Sequence, residues 1–420
     1  MGNKENNKQR LNMSYFADFS SVRMDENNPN WEQAIKRETD LYKKEGDLRT
    51  PFERDEMRIM HSKGYRRLKH KTQVFFAPQN DHVCTRMEHV QLVASVAETI
   101  AKFLSLNKEL ARAIALGHDI GHAPFGHHGE TVLQDVAKLN DLHDFWHENN
   151  SLRFIDDIET LTDYNGFQQN LNLTYAVRDG IVCHCGEVDE RFVKPREDAC
   201  DLYSIQKGGK CGALTYEGCV VKISDKIGYI GRDIEDGVSY GILGPKQKKE
   251  LLDVVRTIYP DIKINELNTS SFTHSLVLNL CSNSSIENGL CFSEDCFQVL
   301  KLVKQFNYKN ICNHPRIEKF KKYATLILET LFEQLMEYYP NIREKLAKDR
   351  ILYPKLITTL EGWLIKYSDY DLAEKENRMC KNKLIYHLDD EQEYKNCVLD
   401  FISGMSDTFA IDVFNEIISF

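Results

Sequence analysis

The sequence predicts an all-α protein. Two observations carry that expectation. Apolar residues recur at i, i+3, i+4 and i+7 over most of the chain, and extended signal is confined to a short piece at Gln73–Ala77. A third bounds it: 420 residues with 42% hydrophobic and 10% aromatic content can bury a large core, which excludes wholesale disorder.

Taken in order, residues 1–45 are rich in Asn, Lys and Glu and read as a loosely held polar arm with one short helix. From about residue 52 the pattern is helical. Val90, Val93, Ala94, Ala97, Ile100, Ala101 and Leu104 mark one apolar face of a helix over 86–104. A second runs from Leu110 to Ile120 and is broken by Gly121 and Pro124. Further helices are expected at 128–139, 145–160, 168–183, 215–238, 246–258, 292–306, 316–338, 341–347, 354–366 and 390–419. The charged, Gly-rich segment 186–212 reads as an insert or lid, and 260–291 as a second irregular region. Three parts result: the arm 1–45, a core 46–240, and a helical C-terminal region 241–420 packed on it.

The net charge of −10 argues against a protein dedicated to neutralising nucleic-acid phosphates. The longest stretch free of charged residues, Leu267–Ile286, is too rich in Ser, Thr and Asn to span a membrane. The polar start carries no signal-peptide pattern, so the 12 cysteines are expected as reduced thiols in the cytoplasm. No GxxxxGK[ST] pattern is present, which disfavours a Walker-type ATPase.

Histidine is concentrated. Ten of 14 lie between His61 and His147. The centre of the cluster is His118–Asp119, followed by His122, His127, His128 and Glu130. Adjacent His and Asp at a helix end can converge on one ion. His89 from another helix and a remote carboxylate would complete a mixed N/O site for Mn²⁺, Fe²⁺, Mg²⁺, Ni²⁺ or Zn²⁺. Asp225 is the candidate carboxylate because it sits among Val220, Val221, Ile223 and Ile227, and a buried carboxylate is costly unless paired or metal-bound. Asp225, Tyr229 and Asp233 stand at i, i+4 and i+8, on one helix face. His127 and Glu130, one turn apart, give an imidazole oriented by a carboxylate, as an acid or base requires. Arg86 can fork onto phosphate oxygens.

The spacing His89…His118–Asp119…Asp225 resembles that of HD-domain phosphohydrolases. The segments Arg49–Asp55 (RTPFERD), Tyr65–Leu68 (YRRL), Lys71–Phe75 (KTQVF), Arg86–His89 (RMEH), His118–Glu130 (HDIGHAPFGHHGE), Leu171–Tyr175 (LNLTY), Ser224–Asp236 and Ile402–Asp407 (ISGMSD) are similar to bacterial deoxyguanosine triphosphate triphosphohydrolases. The resemblance implies an all-α HD-domain metallohydrolase core with additional C-terminal helices. It implies hydrolysis of deoxynucleoside triphosphates, dGTP first among them, to deoxynucleoside and inorganic triphosphate.

His89, His118, Asp119 and Asp225 match the family's metal ligands, with Mn²⁺ or Mg²⁺ foremost and Fe²⁺, Ni²⁺, Co²⁺ or Zn²⁺ compatible. His122, His127, Glu130 and His147 match catalytic residues at the α-phosphate and attacking water. Gln73, Arg86, Tyr229 and Asp233 match groups holding triphosphate and sugar, with the Tyr ring where a 2′-OH would clash. A homo-oligomer with nucleotide effector sites near subunit contacts is also implied. His128 departs from the pattern, where a small residue is usual, and so does the insert at 186–212.

Two other readings compete. One is a different HD chemistry, a nucleotidase or phosphodiesterase. The other is a non-catalytic regulator binding nucleotide or single-stranded DNA, against which His127 and Glu130 argue, since a binder needs no acid/base pair. Cys183, His184, Cys185, Cys200 and Cys211 could form a zinc knuckle, but their C-x-C spacing is tighter than usual and free thiols are expected. The Lys-rich 301–309 and 316–322 are expected to be solvated helix faces.

Overall fold

A computed structural model of the chain describes residues 17–41, 46–75, 84–185, 190–206, 211–258 and 269–419. It is helical, as the periodicity predicts. The elements run α1 (Trp31–Ala34), α2 (Pro51–His61), α3 (Lys63–Arg67), α4 (Arg86–Phe103), α5 (Lys108–Gly117), α6 (Gly126–Leu139) and α7 (His147–Arg153). A hairpin β1 (Thr160–Thr162) and β2 (Gln168–Asn170) precedes α8 (Tyr175–Val182). Strand β3 (Phe192–Val193), α9 (Tyr216–Ser239), α10 (Pro245–Arg256), α11 (Thr269–Asn283) and β4 (Leu290–Cys291) follow. The C-terminal part comprises α12 (Glu294–Asn307), α13 (Pro315–Met336), α14 (Ile342–Asp349), α15 (Pro354–Tyr367), α16 (Leu372–Asn377), α17 (Glu391–Ser403) and α18 (Asp407–Ile418).

Local chemistry fixes the helices that matter. Thr85 and Glu88 form a reciprocal capping box that starts α4. Arg86 therefore occupies its first position, and His89 follows almost one turn later. Asn107 caps α5 by accepting from the Glu109 and Leu110 N–H groups. Thr215 caps α9 through the Gly218 N–H. Helices α4, α5 and α9 pack on one another, with α2 and α8 against α5 and α11 flanking α9 and α4. On the far side, α13 packs against α6, α17 and α18. No helix among the described residues is long and apolar enough to cross a membrane.

Several expectations are corrected. The described part of the N-terminal arm is pinned: Phe19, Met24 and Ala34 are buried, and Glu217 Oε1 accepts from the backbone N–H of both Met24 and Asn107. Residues 1–16 and 42–45 lie outside the described residues. Gln73–Phe75 form bends, Thr72 makes a single bridge to Thr85, and Ala77 lies outside the described residues. Helix 145–160 ends as α7 and one π turn, Phe154–Ile158.

The expected helix 168–183 begins instead as β2. Asp163 accepts from the Asn165 and Phe167 N–H groups, and Gly166 takes φ +88°, which turns β1 back on β2. The region 260–291 contains α11, whose Phe272, Leu276 and Leu280 are buried at four-residue spacing. Residues 260–268 lie outside the described residues.

Helix 390–419 is broken after Ser403, because Ser406 caps a new helix, α18. The insert at 186–212, of which 186–189 and 207–210 lie outside the described residues, pairs β3 with β4 and is tied to α8 by the Arg196–Asp179 ion pair.

Candidate active site and metal centre

The turn after α5 is built by α7. Gly121 donates its N–H to Ser151 Oγ (3.0 Å), Ser151 Oγ donates to the His118 carbonyl (2.7 Å), and Asn150 Nδ2 donates to the Gly121 carbonyl (2.5 Å). A Cβ on Gly121 would stand 2.2 Å from the Ser151 nitrogen, so only glycine fits. Gly129 is equally constrained, its Cβ direction leading to the Pro124 carbonyl at 1.7 Å. From the opposite side, Asp407 at the start of α18 accepts from Thr72 N (3.0 Å), Thr72 Oγ1 (2.6 Å) and Phe125 N (2.9 Å). Phe125 itself takes a left-handed conformation. Lys71, fully buried, donates to the carbonyls of His122 and Ser403.

This scaffold gathers the expected ligands. His89 Nε2 lies 2.9 Å from Asp225 Oδ1. His118 Nε2 lies 3.7 Å from Asp119 Oδ1 and 3.9 Å from Asp225 Oδ1. The His118 Nδ1 donates to the Ala115 carbonyl at 2.7 Å, which leaves the lone pair on Nε2. That Nε2 is buried and has no hydrogen-bond partner. An orphaned buried acceptor beside two carboxylates is what a cation site requires, and the donor set suits a divalent ion.

The electrostatics agree. Burial pulls the His118 imidazole down to about 4, so it is neutral and able to ligate. Burial pushes Asp225 up, but the His89 hydrogen bond outweighs it and holds the carboxyl at about 2. Asp119 is likewise held well below its usual range, burial being overcome first by Arg86, whose Nη1 lies 2.6 Å from Oδ2.

A second cluster adjoins the first. Donor atoms of His122, His127, Glu130 and His147 lie within 4.8 Å of one another. Glu130 Oε2 is 3.0 Å from His147 Nδ1 and 3.5 Å from His127 Nδ1, while the His147 ring stacks on His122 at 4.7 Å. His147 also meets Glu148 at 3.4 Å. Burial would lower the His147 value, yet Glu148 and Glu130 raise it to about 10, so it is a cation at neutral pH. His122, fully buried behind it, is held neutral by burial and by Arg86.

Both clusters open onto one cavity of about 380 Å³. Gln73, Arg86, His89, Asp119, His127, His147, Asp225, Tyr229 and Asp233 line it, nine of the twelve expected site residues, and Glu130 is held just behind His127 and His147. His118 and His122 lie behind that wall, fully buried.

A model of the HD domain matches residues 86–229. The chain is 32% identical to the deoxyguanosinetriphosphate triphosphohydrolase-like protein of Caldanaerobacter subterraneus subsp. tengcongensis over 372 residues, 88% of this chain and 86% of that one. The chain belongs to this family of HD-domain phosphohydrolases. The protein of the same description from Desulfatibacillum aliphaticivorans is 31% identical over 88% of each chain. That of Clostridium tetani is 34% identical over 71% of this chain and 79% of its own.

In this HD-domain phosphohydrolase, three features escape sequence reasoning. Lys304, Asn307, Tyr308 and Lys321 line the cavity, although both Lys-rich segments read as solvated faces. Nothing local marks them, because α12 and α13 meet the core only through tertiary packing. His128, the departure from the family pattern, lies 2.9 Å from the Lys321 carbonyl and from Thr325 Oγ1, and so fastens α6 to α13. Finally, His184 turns away from the cysteines of the insert toward His118, with ring centroids 4.8 Å apart. No disulfide joins any of the 12 cysteines.

Proposed function

We propose that this cavity hydrolyses deoxynucleoside triphosphates at the α-phosphorus, releasing deoxynucleoside and inorganic triphosphate. The observation that carries the reading is the apposition, across one cavity, of the His/Asp centre, the Glu130–His147 pair and the Asp225–Tyr229–Asp233 helix face. The family descriptions of its relatives make dGTP the substrate to try first. His89, His118, Asp119 and Asp225 would hold a divalent ion, Mn²⁺ or Mg²⁺ foremost. When bound, a divalent ion supplies Lewis acidity toward phosphoryl oxygens and orients the reacting groups.

The chain supplies the remainder. Arg86 has Nε and Nη2 buried and without partners, two parallel N–H groups suited to phosphate oxygens. The His147 cation, fixed by Glu130, neutralises phosphate charge, and Lys304 and Lys321 add further basic side chains to the cavity lining. Water adds to the α-phosphorus as the bond to the 5′-oxygen breaks, and the water's proton is lost to solvent as the triphosphate forms. His127, its side chain 59% exposed at the rim, passes a proton to that departing oxygen. Tyr229 and Asp233 face the sugar.

Burial, and then Asp236, push the Asp233 carboxyl up to about 8. It is therefore neutral at pH 7 and able to donate to, as well as accept from, a 3′-OH. The deciding experiment incubates the protein with each dNTP and Mn²⁺ or Mg²⁺ and identifies the products by ³¹P NMR. Tripolyphosphate supports the reading; pyrophosphate or orthophosphate as the primary product rejects it.

A further inference from the structure

His184 stands two residues past the end of α8 and is buried. Its Nδ1 donates to the Ile181 carbonyl at 2.5 Å, which fixes the tautomer and leaves the lone pair on Nε2. That nitrogen is buried and has no hydrogen-bond partner, a costly arrangement unless something else occupies the lone pair. His118 is prepared in the same manner: each ring is tied through Nδ1 to the carbonyl three residues earlier, and each aims a bare Nε2 into the site.

The donor atoms of His118, Asp119 and His184 lie within 4.8 Å of one another, as do those of His89, His118 and Asp225. The two triads share His118. One imidazole lone pair serves one ion, so two separate ions would leave one triad a donor short.

We propose that His184 Nε2 is a fifth protein donor to the divalent ion held by His89, His118, Asp119 and Asp225. The proposal rests on the reading of those four as the metal site. Its consequence is a centre with three imidazole nitrogens and two carboxylates. Imidazole suits Mn²⁺, Co²⁺ and Fe²⁺ better than Mg²⁺, which favours oxygen. His184 therefore weights the site toward transition metals.

The full-length chain, stripped of metal, tests this. Pulsed EPR of the Mn²⁺-loaded wild-type protein should detect three coordinated imidazole nitrogens and one ion per chain; two nitrogens, or two ions per chain, overturns the proposal. Titration with Mn²⁺ should find His184→Ala, and the bulkier His184→Gln, binding at least ~10-fold more weakly. The loss for Mg²⁺ should be smaller, and the Co²⁺ absorption bands should shift. His118→Ala separates the two readings. If it abolishes Mn²⁺ binding while both His184 variants keep wild-type affinity and spectrum, only the fifth donor fails. If His118→Ala also binds normally, the metal site itself is wrong.

Discussion

Glu130 and His147 are joined twice: Oε1 accepts the His147 backbone N–H at 3.0 Å, and Oε2 lies 3.0 Å from its Nδ1. The carboxylate thereby fixes both the ring's position and its charge. It holds His127 less closely, at 3.5 Å. Removing Glu130 should therefore be felt first at His147. Glu130→Gln is expected to lower kcat by ~10²-fold or more while metal content stays at the wild-type level. Steady-state kinetics alongside metal analysis checks both halves.

The same pair sets a pH dependence. With His147 raised to about 10, the cation persists through neutrality and is lost as pH rises through that value. A kcat that needs the cation should hold to about pH 9 at saturating substrate and then fall. In Glu130→Gln, Glu148 and Asp119 remain but the one carboxylate that also hydrogen-bonds the ring is gone, so the alkaline limb should move to lower pH by ~1 unit or more. An unmoved limb would show that His147's charge plays no part in turnover.

Loss of a ligand should remove metal and turnover together. His118→Ala and Asp119→Ala each delete a donor, and Asp119→Ala also strands the Arg86 guanidinium without its carboxylate. Both variants are expected to bind less than a tenth of the wild-type metal by elemental analysis. A variant with full metal and near-normal kcat would unseat the assignment.

Sugar selection is expected to depend on α9. Wild-type protein should hydrolyse dNTPs at least ~10-fold better than the matching rNTPs, because a 2′-OH against the Tyr229 ring leaves a hydrogen bond unmade. Tyr229→Ala should narrow that ratio by admitting ribonucleotides. Asp233→Ala should weaken both classes, whereas Asp233→Asn, which preserves a neutral donor and acceptor, should retain most of the affinity at pH 7. Raising the pH through about 8 ionises Asp233, so KM for the wild-type protein should climb there and stay flat in Asp233→Asn. Paired dGTP and GTP kinetics across pH decide the matter.

Gly121→Ala is expected to destabilise the fold by about 3 kcal/mol or more, since its Cβ would enter the backbone of α7 at Asn150 and Ser151. Urea unfolding measures the loss, and metal analysis should show the centre disturbed with it.

Much of this site was legible because its parts lie in short sequence windows. The apolar face of the helix over 86–104, the α9 register of Asp225, Tyr229 and Asp233, and the glycines after His118 are local signals with local causes. What was not legible depends on distant packing. His184 sits beside cysteines in sequence but against His118 in space, and Lys304 reaches the cavity only because α12 packs on α9. Helix α11 was hidden by a Ser, Thr and Asn composition that disfavours helices in isolation but is overridden once Phe272, Leu276 and Leu280 are buried. The turn at Asp163–Gly166 was written in the sequence as Asn165–Gly166 and went unread.

The clamp from Asp407 onto Thr72 and Phe125 has a consequence for the order in which the enzyme is born. His118, Asp119 and His127 are translated long before the side chain that fixes the loop between them. A nascent chain halted just short of residue 407 carries all the residues proposed as ligands, acids and bases, yet lacks the strut that holds Phe125 in its left-handed turn. Competence for hydrolysis would therefore arrive only once Asp407 has been made and folded back onto the loop. Polysomes translating this message should carry no hydrolytic activity until α18 clears the ribosomal tunnel.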